Sequence, residues 1–160
     1  MAMPVYYKKF EKETWPKIKK GLLKNLSEEE VDAIHYSFRV GAITPEVADF
    51  VHDVDPKILN DMGGKAKDLK LFDLAMYYFD LAKNWEGLVK LCIHVLKNKI
   101  GTDVFFALSE LNRALDSSYK FSMAETKALK EIYNNLSEKK KEEKTIKEPL
   151  GIFIERAFEA

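Results

Sequence analysis

Residues 69–84 have the sequence LKLFDLAMYYFDLAKN, and this stretch decides the fold class. When it is drawn as an α-helix, apolar side chains cover nearly the whole circumference. The polar exceptions form one narrow strip, which consists of Asp73, Tyr77, Asp80 and Asn84. A helix with two apolar faces is stable in water only when it packs between other helices. We therefore expect residues 69–84 to be the structural centre of a helical protein.

Signals for helix starts recur along the chain on both sides of this stretch. A capping box, in which a serine and a glutamate three residues later satisfy free backbone N–H groups, predicts two helix starts. A capping residue directly before proline predicts two more. Sustained alternation of apolar and polar residues, as expected for strands, does not occur. The signals are Ser27 with Glu30, Ser122 with Glu125, Thr44-Pro45 and Asp55-Pro56.

These patterns predict an all-α fold: a single-domain antiparallel helical array or bundle of seven to eight short helices. A chain of 160 residues can bury roughly 68–70% of its unfolded surface around one core, so we assign residues 1–137 to one helical domain. The run EKKKEEK, which starts at Glu138, has no apolar residue and predicts a charged connector over residues 138–149. A short amphipathic C-terminal helix is expected over residues 150–160. It either docks on the body of the protein or contacts a partner.

The composition limits the classes of partner and the compartment. The formal net charge is +0, so no global field attracts nucleic acid or an anionic membrane. No apolar run approaches the roughly 20 residues that a bilayer span needs, and no membrane association is expected. Cys92 is the one cysteine, which excludes an internal disulfide and favours a cytoplasmic location. The abundance of lysine and acids and the lack of glutamine favour a hyperthermophilic source.

The spacing Ala75-x3-Phe79-x2-Ala82 resembles the second helix of a tetratricopeptide repeat, where small and large residues alternate in this register. In the same register, four residues from Leu59 to Ala66 occupy first-helix positions of that repeat: Leu59, Met62, Gly63 and Ala66. A degenerate second repeat follows, so that the resemblance covers residues 56–115. The plain helical bundle remains the alternative, because small and large residues also alternate where ordinary helices pack.

The resemblance implies a protein-binding scaffold whose concave surface is lined by the first helix of each repeat. In this sequence the implied partner-binding residues are Asn60, Lys67, Glu86, Lys90 and His94. We therefore expect a non-enzymatic protein–protein interaction module that needs no cofactor. Its partner is either another protein or a second copy of the chain.

A repeated Asp-x-x-His pattern provides the alternative of a metal-dependent enzyme or metal-binding bundle. Asp32 precedes His35, and Asp49 precedes His52. Residues three apart share one face of a helix, so each pair offers a carboxylate and an imidazole in the same direction. Two facing helices would then bring four ligands together, as in the metal sites of helical bundles.

The N-terminal segment provides a third alternative, nucleic-acid binding. Aromatic residues alternate with lysines from Tyr6 to Lys20, a combination suited to base stacking and phosphate contact. The competing interpretation is that Phe10 and Trp15 form the core face of the first helix and the lysines point into solvent.

Overall fold

Every secondary-structure element in the described part of the chain is helical. The computed structural model describes residues 5–100 and 103–159, and these residues contain nine helices and no strand. The all-α prediction is confirmed, whereas the predicted count of seven to eight helices is too low. The first helix is continuous from α1 (Val5–Lys9) through a π-helical turn (Phe10–Thr14) into α2 (Trp15–Lys20). The others are α3 (Glu28–Val40), α4 (Pro45–His52), α5 (Pro56–Asp68), α6 (Phe72–Leu81), α7 (Trp85–Asn98), α8 (Asp103–Asp116), α9 (Met123–Asn135) and α10 (Lys141–Phe158).

The chain divides into two compact units, the first ending at Lys83 and the second beginning at Asn84. The single helical domain expected over residues 1–137 stays a prediction. The division into two units arises because the helices pack mainly against near neighbours in the chain, so contacts concentrate on either side of the short turn at residues 82–84.

In the first unit, α6 is the apolar helix that the sequence places at the centre. Five of its side chains are buried: Leu74, Ala75, Met76, Tyr78 and Phe79. It packs most extensively against α5, where a Cβ added to Gly63 would lie only 2.7 Å from Cε1 of Phe79. The Tyr78 hydroxyl is 2.5 Å from that of Ser37 on α3. Phe10, Phe38 and Tyr78 continue this core as a series of stacked rings.

The predicted helix starts are mostly confirmed by side-chain hydrogen bonds. Both capping boxes form, with Ser27 and Ser122 accepting from the N–H groups of Glu30 and Glu125. Asp55 also caps its helix. Thr44 does not cap its helix; its side-chain oxygen is buried and has no hydrogen-bond partner in the described residues. Pro45 in the first turn starts α4 without that bond.

In the second unit, two helical hairpins lie side by side. The α7–α8 hairpin packs on the α9–α10 hairpin, with α7 against α9 and α8 against α10. Helix α10 begins at Lys141, nine residues before the start expected at Leu150, and Pro149 lies inside it. Of the two interpretations of the charged run, a solvated helix extension or a flexible connector, residues 141–149 are helical, because lysine and glutamate favour helix and tertiary contacts hold the first turns.

Candidate functional site

The two Asp-x-x-His pairs do not meet at one ion. Asp32 and His35 lie on α3, and Asp49 and His52 on α4. All of these side chains except His35 are exposed. In residues 5–100 and 103–159, no group of three or more His, Cys, Asp or Glu side chains is placed to hold a metal.

His35 instead belongs to a cluster with the N-terminal helix. Its Nε2 lies 2.5 Å from Oε2 of Glu11 and 3.0 Å from the Tyr7 hydroxyl. Because a carboxylate only accepts, we assign an Nε2–H that donates to Glu11. The indole of Trp15 stacks on the imidazole with a centroid distance of 4.2 Å and an angle of 8°. The cluster therefore joins the first helix to α3 through stacking of Trp15 on the His35 ring and through polar contacts at the Nε2 atom of His35.

The environment of this cluster changes the pKa of two of its groups. Burial raises the pKa of the Tyr7 hydroxyl to about 12, and the nearby Glu11 carboxylate adds to that effect. For Glu11, partial burial opposes ionisation, but hydrogen bonds from His35 and Tyr7 outweigh it and lower the pKa. The π-helical turn supplies Glu11, and Trp15 closes that turn by donating its N–H to the Phe10 carbonyl five residues earlier.

The residues predicted to bind a partner are divided between the two units. Asn60 and Lys67 lie on α5, and the other three lie on α7. On α7, Glu86 and Lys90 form an ion pair of 2.9 Å, and His94 is hydrogen-bonded to Asn98. The three α7 residues are exposed along one side of the helix, at intervals of one turn. Their role in binding stays a prediction.

The aromatic residues of the N-terminal segment belong to the core. Tyr7, Phe10 and Trp15 are all buried, whereas the lysines between them are exposed. Phe10 and Trp15 are thus used in packing and not available for stacking on bases. The exposed lysines of this segment can contact the phosphates of a nucleic acid, but the buried rings cannot stack on its bases.

A groove lies between α9 and α10 in the second unit. It encloses about 530 Å³. Helix α9 contributes Lys130, Tyr133 and Asn134 to this groove. From α10 and its end come Glu148, Gly151, Ile152, Glu155 and Glu159. We call this the α9–α10 groove.

The floor of the α9–α10 groove is formed by a close approach of its two helices. A Cβ added to Gly151 would lie 2.9 Å from Cε2 of Tyr133. The Lys147 ammonium lies 4.8 Å from the centroid of the Tyr133 ring and donates to the Leu136 carbonyl at 3.0 Å. These contacts hold the tyrosine and the two helices in place, so the groove is preformed.

Large apolar side chains are exposed on α10 and at the start of α9. Ile152 on α10 is 62% exposed, and Met123 at the start of α9 is 90% exposed. A second cavity, of about 380 Å³, lies on the other side of α9 and is lined by Phe121, Met123 and Lys127 among others. Lys130 and Asn134 border both cavities and thus form a ridge between them.

The sequence alone does not reveal this groove. Its helices were predicted only in part, since Pro149 suggested that α10 begins at Leu150. The available signal was Ile152, an apolar residue outside the stripe of Leu150, Phe153 and Ile154 that forms the buried face.

No protein-family model matches the chain, and neither a curated protein nor a solved structure is significantly similar to it. In the ranges 5–100 and 103–159, none of the helices combines the length and the apolar character needed to span a membrane.

Proposed function

We propose that this protein is a non-enzymatic helical module that binds another polypeptide chain, with the α9–α10 groove as its binding site. The observation that carries the proposal is a preformed groove between two helices with Ile152 exposed on its rim. A groove between two helices can receive a helix of the partner, which then contacts both of its walls.

The lining of the α9–α10 groove supports this mode of binding. Tyr133 and Ile152 offer apolar contact, whereas Lys130, Glu148 and Glu155 offer charge at the rim. The lining therefore combines polar and apolar contact, as protein interfaces do. Tyrosine is also a residue type that contributes strongly to binding energy.

We propose in addition that the helical hairpins of residues 56–116 are tetratricopeptide-like. The hairpins α5–α6 and α7–α8 span residues 56–116, close to the predicted range 56–115, and the close contact of Gly63 with Phe79 suits a small residue facing a large one. On this proposal, Asn60 and Lys67 in the first unit and Glu86, Lys90 and His94 in the second are partner-binding residues. The cytoplasmic location and the hyperthermophilic source also remain predictions from composition.

Ile152→Asp tests the proposed function. The side chain is largely exposed, so we expect the variant to fold like the wild type by circular dichroism. Immobilised wild-type protein should retain a specific polypeptide from an extract of the source organism, and the variant should lose most of that binding. The matched control is Phe105→Asp, which introduces the same charge at an apolar residue of α8 that is 54% exposed. Equal binding by all three proteins would contradict the assignment of the groove.

A further inference from the structure

The exposed face of α9 and α10 carries charges of opposite sign on its two helices. Helix α9 presents Lys127 and Lys130 together with one acid, Glu131, whereas α10 and its end present Glu148, Glu155 and Glu159. Among the described residues, Lys127, Glu155 and Glu159 have no ion-pair partner. Lys130 lies 6.0 Å from the centroid of the Phe158 ring, which leaves its ammonium available to a carboxylate.

The same face also carries matching shapes. The ridge of α9, which includes Lys130 and Asn134, runs directly beside the α9–α10 groove. In a twofold dimer both copies use the same surface, so that a feature of one copy contacts a different feature of that surface on the other copy. A ridge beside a groove is therefore self-complementary under a twofold rotation. The charges are complementary under the same rotation, because α9 of each copy would face α10 of the other.

We propose that the occupant of the α9–α10 groove is a second copy of this chain, which forms a twofold dimer with each α9 ridge in the partner's groove. The proposal rests on the proposed function and names its partner. The lysines of each α9 meet the glutamates of the partner's α10, and the exposed Ile152 and Met123 side chains lose contact with water. The ion pairs determine the antiparallel orientation, and burial of Ile152 and Met123 adds apolar contact.

Two charge-reversal variants test this arrangement. In Lys127→Glu/Lys130→Glu both helices of the face become acidic, and in Glu155→Lys/Glu159→Lys both become basic. We expect the wild type to dimerise with a micromolar dissociation constant by sedimentation equilibrium. Each variant alone should be weakened on the order of 100-fold, because like charges then face each other. An equimolar mixture of the two variants should recover the dimer, since every contact again joins opposite charges.

The control for these reversals is Lys97→Glu, which changes the same kind of charge on α7 and should leave the dimer unchanged. A monomeric wild type at high micromolar concentration would overturn the proposal. So would a dimer that neither reversal weakens, or a mixture that stays monomeric. If the wild type is monomeric but binds a different protein in an Ile152-dependent way, only the identity of the partner is wrong. If it is monomeric and shows no such binding, the proposed function is wrong as well.

Discussion

At the residue scale, the Glu11–His35 contact is the feature whose chemistry is most sensitive to conditions. Glu11 has a lowered pKa because it accepts hydrogen bonds from His35 and Tyr7, despite its partial burial. A carboxyl group whose pKa is lower in the folded state adds stability above its unfolded pKa. That contribution is lost as pH falls through the folded value.

We expect Glu11→Gln to lower the free energy of unfolding by about 1 kcal/mol at neutral pH, because the amide replaces a charge-assisted hydrogen bond at a partly exposed site. The difference from the wild type should shrink as pH falls below the usual carboxyl value of 4.5 and Glu11 becomes protonated. Urea denaturation at a series of pH values measures it.

Glu13→Gln is the matched control for this substitution. Glu13 lies on the same π-helical turn, but its side chain is exposed and has no hydrogen bond among the described residues. Its substitution should have little effect at any pH. An equal loss in both variants, or a Glu11→Gln effect that does not depend on pH, would show that the His35 contact does not stabilise the protein.

At the element scale, the close approach of α5 to α6 is determined by a residue without a side chain. Gly63 is buried against the Phe79 ring, whereas its neighbour Gly64 has no atom within 4 Å of an added Cβ. Both are in the helix interior, where glycine is less favourable than alanine by about 1 kcal/mol. Only Gly63 has a packing reason to be glycine.

Gly63→Ala should therefore destabilise the protein by about 1–3 kcal/mol, because the new methyl group forces the Phe79 ring or the helix to move. Gly64→Ala should stabilise it by about 0.4–1 kcal/mol, because it only restricts the unfolded chain. Thermal and urea denaturation compare the two. In a Phe79→Ala background the sign at position 63 should reverse, and persistence of the loss there would place the clash elsewhere.

Helix α10 passes through Pro149, although a proline in a helix interior costs about 3 kcal/mol or more. Contacts of its first turns offset this cost. Glu143 accepts a hydrogen bond from the Ser137 N–H at 3.2 Å and forms an ion pair with Lys99 at 3.3 Å. Lys147 donates a hydrogen bond to the Leu136 carbonyl at the end of α9. These hydrogen bonds and ion pairs and the Lys-Glu run maintain helix on the N-terminal side of the proline.

Pro149→Ala should raise the free energy of unfolding by roughly 1–3 kcal/mol, because a continuous helix gains a backbone hydrogen bond and loses a clash. Circular dichroism and urea denaturation measure the change. The substitution also distinguishes two boundaries. If the helix began at Leu150, Pro149 would precede it and alanine would give no gain.

At the scale of the whole molecule, the division at residues 83 and 84 separates two sets of helical hairpins. In the second unit the α7–α8 hairpin packs on the α9–α10 hairpin, and Arg156 on α10 pairs with Asp116 on α8 at 2.9 Å. Phe121 joins this core by edge contacts with Phe153 and Phe158. Each helix of the unit therefore has two neighbours.

We expect a fragment of residues 84–160 to fold alone, with helical circular dichroism and a cooperative urea transition of at most about 3–5 kcal/mol, which a core of this size rarely exceeds. The matched fragment of residues 1–83 should behave similarly if the first core is also self-sufficient. A non-cooperative, largely unfolded 84–160 fragment would show that the second unit depends on the first.

Local patterns determined the fold class and most helix boundaries. Helix starts depend on short-range hydrogen bonds, so Ser27, Ser122 and Asp55 were predictable from neighbours three residues away or fewer. The apolar circumference of residues 69–84 likewise required a buried helix. The start of α10 was not predictable, because the contacts of Glu143 and Lys147 with residues distant in sequence outweigh the local effect of Pro149.

The candidate site depended almost wholly on tertiary structure. His35 was predicted to bind a metal with Asp32, but the π-helical turn brings Glu11 and Trp15 to it, and no i-to-i+3 pattern encodes that approach. The α9–α10 groove arises from two helices that are each unremarkable in sequence. Helix formation follows from local energies that the sequence displays directly. A binding surface, in contrast, depends on which side chains remain exposed after packing, and only the folded chain decides that.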